Sequence, residues 1–198
     1  MLKKLNPYKV QKILLEKRIH VFTPRDLMRL FGANVKAVAL FLCRHTKRGF
    51  FIRLRNGLYA LDTHSPPVEL IANRLYEPSY LSLEYALSHY HFIPETVYTL
   101  TSVTTKATRE FQVQGVLYTY TRIKKTFYTG YTTKKMGNLT VLFAKPEKAL
   151  ADYLYLVDLG KKTLNDRLSV RTIQKRKLWD YVGLLGRDSL NRLVRQIL

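Results

Sequence analysis

The dipeptide Asn56-Gly57 separates two runs of alternating side chains, FFIRLR and LYAL, and constrains the fold more than any other feature. A two-residue hairpin loop of type I′ needs positive φ at both central positions, which Asn and Gly tolerate. That turn predicts a register with Arg55 opposite Leu58, Leu54 opposite Tyr59, Arg53 opposite Ala60 and Ile52 opposite Leu61. Directly opposed residues share a sheet face. Ile52, Leu54, Tyr59 and Leu61 therefore predict one apolar face, with Arg53 and Arg55 together on the other.

Three helical patterns precede the hairpin. Val10, Ile13 and Leu14 form a stripe in residues 5 to 18, with a basic opposite face. Next, VFTPRDLMRLFG offers Thr23 as a cap and Pro24 at the first helical position. Leu27, Met28, Leu30 and Phe31 supply its apolar face, and Gly32 ends it. Thr23 has a second reading, as a hydroxyl offered to phosphate. Asn34 caps a third helix that runs to about Arg48, with Gly49 closing it. At 100° per residue, Val38, Ala39, Leu42 and Thr46 cluster toward the core, and Lys36, Leu40, Arg44, Lys47 and Arg48 occupy the opposite arc.

The charge on that arc is unbalanced. The chain carries 34 Lys and Arg against 14 Asp and Glu, a net +20, which makes an anionic partner the first expectation. Residues 1 to 64 hold 14 basic and 3 acidic residues, +11, and residues 65 to 198 hold 20 and 11, +9. No acidic residue lies between Asp26 and Asp62. A solvated helix face gains by pairing opposite charges four residues apart, so a purely basic one forfeits that gain unless an external anion supplies it. Helix, helix, helix and hairpin is the order of a winged helix-turn-helix, whose third helix enters the major groove while the wing follows the backbone. On that reading Arg53 and Arg55 neutralise phosphates. Lys36 and Arg44 present donors to phosphate or to guanine edges. Leu40 either meets a thymine methyl or packs elsewhere.

The stretch DTHSPP, 62 to 67, breaks every periodicity and divides the chain into residues 1–64 and 65–198. In the second part, 67 to 75 and 79 to 92 predict helices, and TVYTLTS, GVLYTYTRI and LTVLFA predict strands. Pro146 opens a helix to about Val157, and two further helical segments follow near 163 to 177 and 178 to 197. The second part thus reads as an α+β domain with C-terminal helices. Cys43 is the only cysteine, and the opening MLKKLNPYKV has lysines without an apolar stretch behind them. These features predict a cytoplasmic protein without a membrane partner.

An ordered set of motifs resembles a known family: VFTPRDLMRLFG, then VALFLCRHTKRGFFIRLRNGLYAL, PSYLSLEYALSHYHFIPE, VYTLTS and LFAKPEKALADYLYL. Together, over about residues 20 to 158, they are similar to the AbiEi-type antitoxins of type IV toxin-antitoxin (abortive infection) systems. The resemblance implies an N-terminal winged helix-turn-helix followed by an α+β antitoxin domain. It implies repression of the protein's own operon through inverted repeats in promoter DNA, and antagonism of a nucleotidyltransferase-like toxin without an obligatory stable complex. The family's basic helix-and-wing pattern falls on Lys36, Arg44, Lys47, Arg48, Arg53 and Arg55. Asn56, at the tip, is counted with Leu40 among the DNA-binding positions; members often carry another basic residue there, so this position offers either a phosphate contact or a turn role.

A rival reading draws on the second half. YTYTRIKKTFYTGYTTKK interleaves aromatics with Arg122, Lys124, Lys125, Lys134 and Lys135, as in proteins that stack bases and track phosphates of single-stranded RNA. Alternating tyrosines also fit a half-buried sheet with wet hydroxyls. Residues 161 to 177, including Arg171 and Lys175, carry 7 basic and 1 acidic residues and could extend a DNA footprint or form a solvated face. Leu81, Tyr85, Ser88 and Phe92 form one core stripe, and Ala149, Leu150, Tyr153, Leu154 and Val157 another. No Gly-rich phosphate loop, nucleophile elbow or metal-ligand cluster occurs. His89 and His91 lack a second cysteine or acidic pair nearby, and Asp152 and Asp158 lie nearly two turns apart. The chain is therefore expected to have no enzymatic activity and no cofactor.

Overall fold

The computed structural model describes residues 5–198 and divides into two compact units, Met1–Leu75 and Tyr76–Leu198. Lys3 and Lys4 of the opening segment lie outside the described residues.

The first unit begins with α1 (Pro7–Glu16), which Asn6 caps through its side-chain oxygen. It buries Val10 and Leu14. A short strand, β1 (Val21–Phe22), leads to α2 (Pro24–Phe31). Here Thr23 is the N-cap of a full capping box: the Asp26 amide donates to Thr23 Oγ1, and the Thr23 amide donates to Asp26 Oδ2 at 2.7 Å. Gly32 ends α2 in the left-handed conformation that its missing Cβ permits. Helix α3 (Val35–Lys47) starts at Asn34, whose Oδ1 accepts from the Ala37 amide at 2.8 Å. Strands β2 (Phe51–Arg55) and β3 (Leu58–Leu61) follow and, with β1, form a sheet of order β1-β3-β2. Helix α4 (Val68–Leu75) completes the unit and lies against β2.

One core joins these helices to one side of the sheet. It contains Val10, Leu14, Phe22, Leu27, Val38, Phe41, Leu42, Phe51 and Leu61. Leu54, Leu58 and Ala60 are buried outside that cluster, on the side where α4 contributes Ile71, Ala72 and Leu75. The hairpin is thus covered on both faces, whereas simple alternation predicted one apolar and one charged face.

The second unit is mixed α/β. Six strands, β4 (Ser79–Leu81), β5 (Leu100–Thr104), β6 (Arg109–Val113), β7 (Val116–Arg122), β8 (Tyr131–Met136) and β9 (Leu139–Ala144), form a sheet of order β6-β7-β5-β4-β9-β8. The β4–β9 and β5–β7 pairs are parallel and the others antiparallel. Helix α5 (Leu83–His89) follows β4, and α6 (Pro146–Asp158) packs with α5, α7 (Lys175–Gly183) and α8 (Asp188–Ile197). Every residue of α6 from Glu147 to Leu156 is buried, which marks it as the central helix of the unit.

Three strands differ from the sequence reading. The segment 79 to 92 begins as β4 and only then becomes α5, while β6 and β8 fall in stretches that read as loop and as a basic aromatic run. Between Thr163 and Gln174 the chain is irregular, and helix resumes at Lys175. Asn165 explains part of this, since its Oδ1 accepts from the Arg167 amide and competes with helical bonding. Among the described residues, no helix is long and apolar enough to cross a membrane.

Candidate nucleic-acid interface

The core side of α3 is defined by Val38, Phe41 and Leu42, with the His45 ring 4.6 Å from that of Phe41. Ala39, placed in the core by the sequence reading, is exposed, and Phe41 takes its place. The substitution has a physical cause: Phe41 packs against Phe51, with ring centroids 5.7 Å apart, and the helix rotates to bury the larger side chain. His45 is held below its ordinary pKa by burial and by the neighbouring charges of Arg48 and Arg44, so its ring packs as a neutral group at neutral pH.

The outer side of α3 consequently presents Val35, Lys36, Ala39, Leu40, Cys43, Arg44, Lys47 and Arg48, all exposed. Val35 is 61% exposed and Leu40 60%, values more typical of a lysine than of an aliphatic residue in a folded unit. The basic residues crowd the last turns, where they also complement the carbonyl end of the helix dipole. Among the described residues, no ion pair engages Lys36, Arg44, Lys47 or Arg48. The one acidic side chain in the adjoining α2, Asp26, is occupied by its capping box. Val35, Ala39 and Cys43 were missed as surface residues. A helical wheel centred on Phe41 rather than on Val38 and Thr46 would have found them.

The hairpin differs more sharply. Its turn is at Asn56-Gly57 and Arg55 pairs with Leu58, as alternation predicts, but the register then slips so that Arg53 pairs with Tyr59 and Ile52 with Ala60. A bulge at Leu54 absorbs the extra residue. Because Leu58 and Tyr59 are successive residues of β3, Arg53 and Arg55 fall on opposite faces of the hairpin. Arg55 donates through Nε to the Leu75 carbonyl at 2.7 Å and through Nη1 to the Asn56 carbonyl at 3.0 Å. Arg53 donates through Nη2 to Asn56 Oδ1 at 2.7 Å, so Asn56 braces the hairpin tip. Both guanidinium groups keep donors unused by these bonds.

The aromatic run of the second unit is turned inward. Tyr118, Tyr120 and Phe127 are buried, and the half-buried Tyr128 and Tyr131 lie against the buried Tyr80, with centroids 5.1 and 4.7 Å from its ring. Arg122, Lys124, Lys125 and Lys135 are exposed beside them without an exposed aromatic partner from that buried set. Lys134 is half-buried, touches His89 Nε2 and sits 5.1 Å above the Tyr90 and Phe143 rings. Burial lowers its pKa. Arg171 is exposed, and Lys175 donates to the Leu198 carbonyl at 2.7 Å. No protein-family model matches the chain, and no curated protein matches it.

Proposed function

We propose that the first unit is a winged helix-turn-helix that binds double-stranded DNA, and that the protein represses its own operon as an AbiEi-type antitoxin. The observation that carries the reading is the outer side of α3, where exposed Lys36, Arg44, Lys47 and Arg48 have no acidic partner among the described residues. The order of elements, three helices and then the β2-β3 hairpin with β1 added to its edge, supports placing α3 in the major groove. Charge of one sign along an exposed helix gains most from a polyanion, whose neutralisation releases counterions.

The inward-facing tyrosines favour this reading over single-stranded RNA binding by the second unit, because stacking requires ring faces open to bases. The antagonism of a nucleotidyltransferase-like toxin rests on the motif resemblance in the second unit.

Electrophoretic mobility shift with the full chain tests the reading. The duplex upstream of the protein's own reading frame should bind at least tenfold more tightly than random duplex, with affinity falling steeply as salt rises. Equal affinity for both duplexes removes the repressor function. Growth rescue on co-expression with a neighbouring nucleotidyltransferase-like reading frame tests the antitoxin function.

A further inference from the structure

The exposed side of α3 is not uniformly basic, and its apolar residues lie toward the helix start. Val35, Ala39 and Leu40 occupy the first two turns, whereas Arg44, Lys47 and Arg48 occupy the last two. Val38, Phe41 and Leu42 hold the core, and Val35 and Leu40 are left 61% and 60% exposed. Two branched aliphatic side chains held in water at the start of a helix whose outer side is otherwise cationic carry a cost that contact with an apolar group would recover.

Successive residues advance about 100°, so with Val35 at zero Ala39 lies near 40°, Lys36 near 100° and Leu40 near 140°. The three apolar residues therefore flank one ammonium group. A polyanionic partner meets the cations, and the same partner must offer small apolar groups spaced among its polar ones. In duplex DNA the C5-methyl of thymine is that group, and it projects into the major groove. The N-terminal part of a recognition helix is the part that meets base edges.

We propose that this protein selects its DNA sites by thymine methyl groups, with Val35, Ala39 and Leu40 as the specificity-determining contacts. The inference rests on the DNA-binding reading of α3 and adds the chemistry by which sequence is read. Arginine is absent from this half of the helix, where Lys36 is the only cation able to pair with guanine.

The test begins with selection of bound duplexes from a random pool using the full chain. Each thymine of the selected site is then replaced in turn by deoxyuridine, which removes one methyl group and leaves every Watson–Crick and hydrogen-bonding edge intact. Binding should weaken about fourfold at two or more positions, the value expected for one buried methyl-sized group. Leu40→Ala and Val35→Ala should each abolish the difference between thymine and deoxyuridine at one of those positions. Both residues are exposed, so the variants should melt with the wild-type protein. Equal binding of thymine and deoxyuridine at every position overturns this inference while leaving the DNA-binding reading intact. Failure to enrich any duplex overturns both.

Discussion

Lys148 and Asp152 stand one turn apart on α6 with Nζ 2.5 Å from Oδ1, and neither side chain is exposed. The second Asp152 oxygen accepts from Ser82 Oγ at 2.8 Å and Tyr80 OH at 3.0 Å, and the ammonium lies 3.1 Å from the Phe127 ring centroid. One carboxylate thus ties the central helix to the end of β4 and to the turn before α5. Burial pushes the Asp152 pKa up and the Lys148 pKa down, and each partner opposes the shift of the other. Breaking a buried pair from one side strands the remaining charge. Asp152→Ala should therefore destabilise the protein by about 3 to 5 kcal/mol. Lys148→Met combined with Asp152→Leu should cost clearly less, because no charge is left buried. Urea unfolding of the three proteins checks this, and a single variant within about 1 kcal/mol of wild type would refute it.

The separation of Arg53 and Arg55 by the Leu54 bulge predicts that two residues of the same type act differently. Arg55 ties the hairpin to the end of α4 through the Leu75 carbonyl. Arg55→Ala should lower stability by about 1 kcal/mol, the worth of a partly exposed charged hydrogen bond. Arg53→Ala should leave stability within about 0.5 kcal/mol and instead flatten the dependence of log affinity on log salt by about one. Thermal unfolding and filter binding at several salt concentrations separate the two. Identical profiles for the two variants would count against the division of roles.

Much of the first unit was legible from local chemistry. The Thr23–Asp26 capping box, the Gly32 stop, the Asn34 cap and the Asn56-Gly57 turn each depend on residues within a few positions of one another. What escaped depended on distant partners. The bulge at Leu54 and the rotation of α3 onto Phe41 follow from packing of Phe51 and from α4 behind the hairpin, and neither leaves a periodic signal in its own segment. In the second unit β4 has three residues and merges in sequence with α5, while β8, YTTKKM, is an edge strand whose threonines and lysines resemble a charged loop. The core stripe on α6 was legible, but not the Lys148–Asp152 pair: lysine and aspartate four residues apart ordinarily mark a solvated face.

Cys43 offers a chemical probe of the proposed DNA interface, since it is the only cysteine and is exposed on the outer side of α3 between Leu40 and Arg44. Alkylation with a bulky maleimide should abolish duplex binding without changing the unfolding temperature by more than a few degrees. Prior addition of cognate duplex should slow the alkylation at least tenfold. Unchanged labelling rates with and without DNA would place the contact surface elsewhere.

The tyrosines of the second unit make its stability sensitive to alkali. Burial raises the phenol pKa values of Tyr80, Tyr90, Tyr128, Tyr153 and Tyr181, in the case of Tyr80 with further help from the Asp152 charge. In the unfolded chain the same groups ionise near the ordinary tyrosine value of about 10. Each folded value lies above its unfolded value, so the stabilisation is fully present below pH 10 and is lost as pH rises through the folded values. The urea midpoint should accordingly stay level for these groups up to about pH 9.5 and fall steeply toward pH 11. Tyrosinate absorbance should lag behind that of free tyrosine and then rise together with the loss of tertiary structure. Tyr80→Phe removes one of the phenols at the cost of its bond to Asp152, and it should make the alkaline decline shallower while lowering stability at pH 7. A midpoint that stays constant from pH 8 to pH 11 would show that these rings are open to solvent in the folded protein.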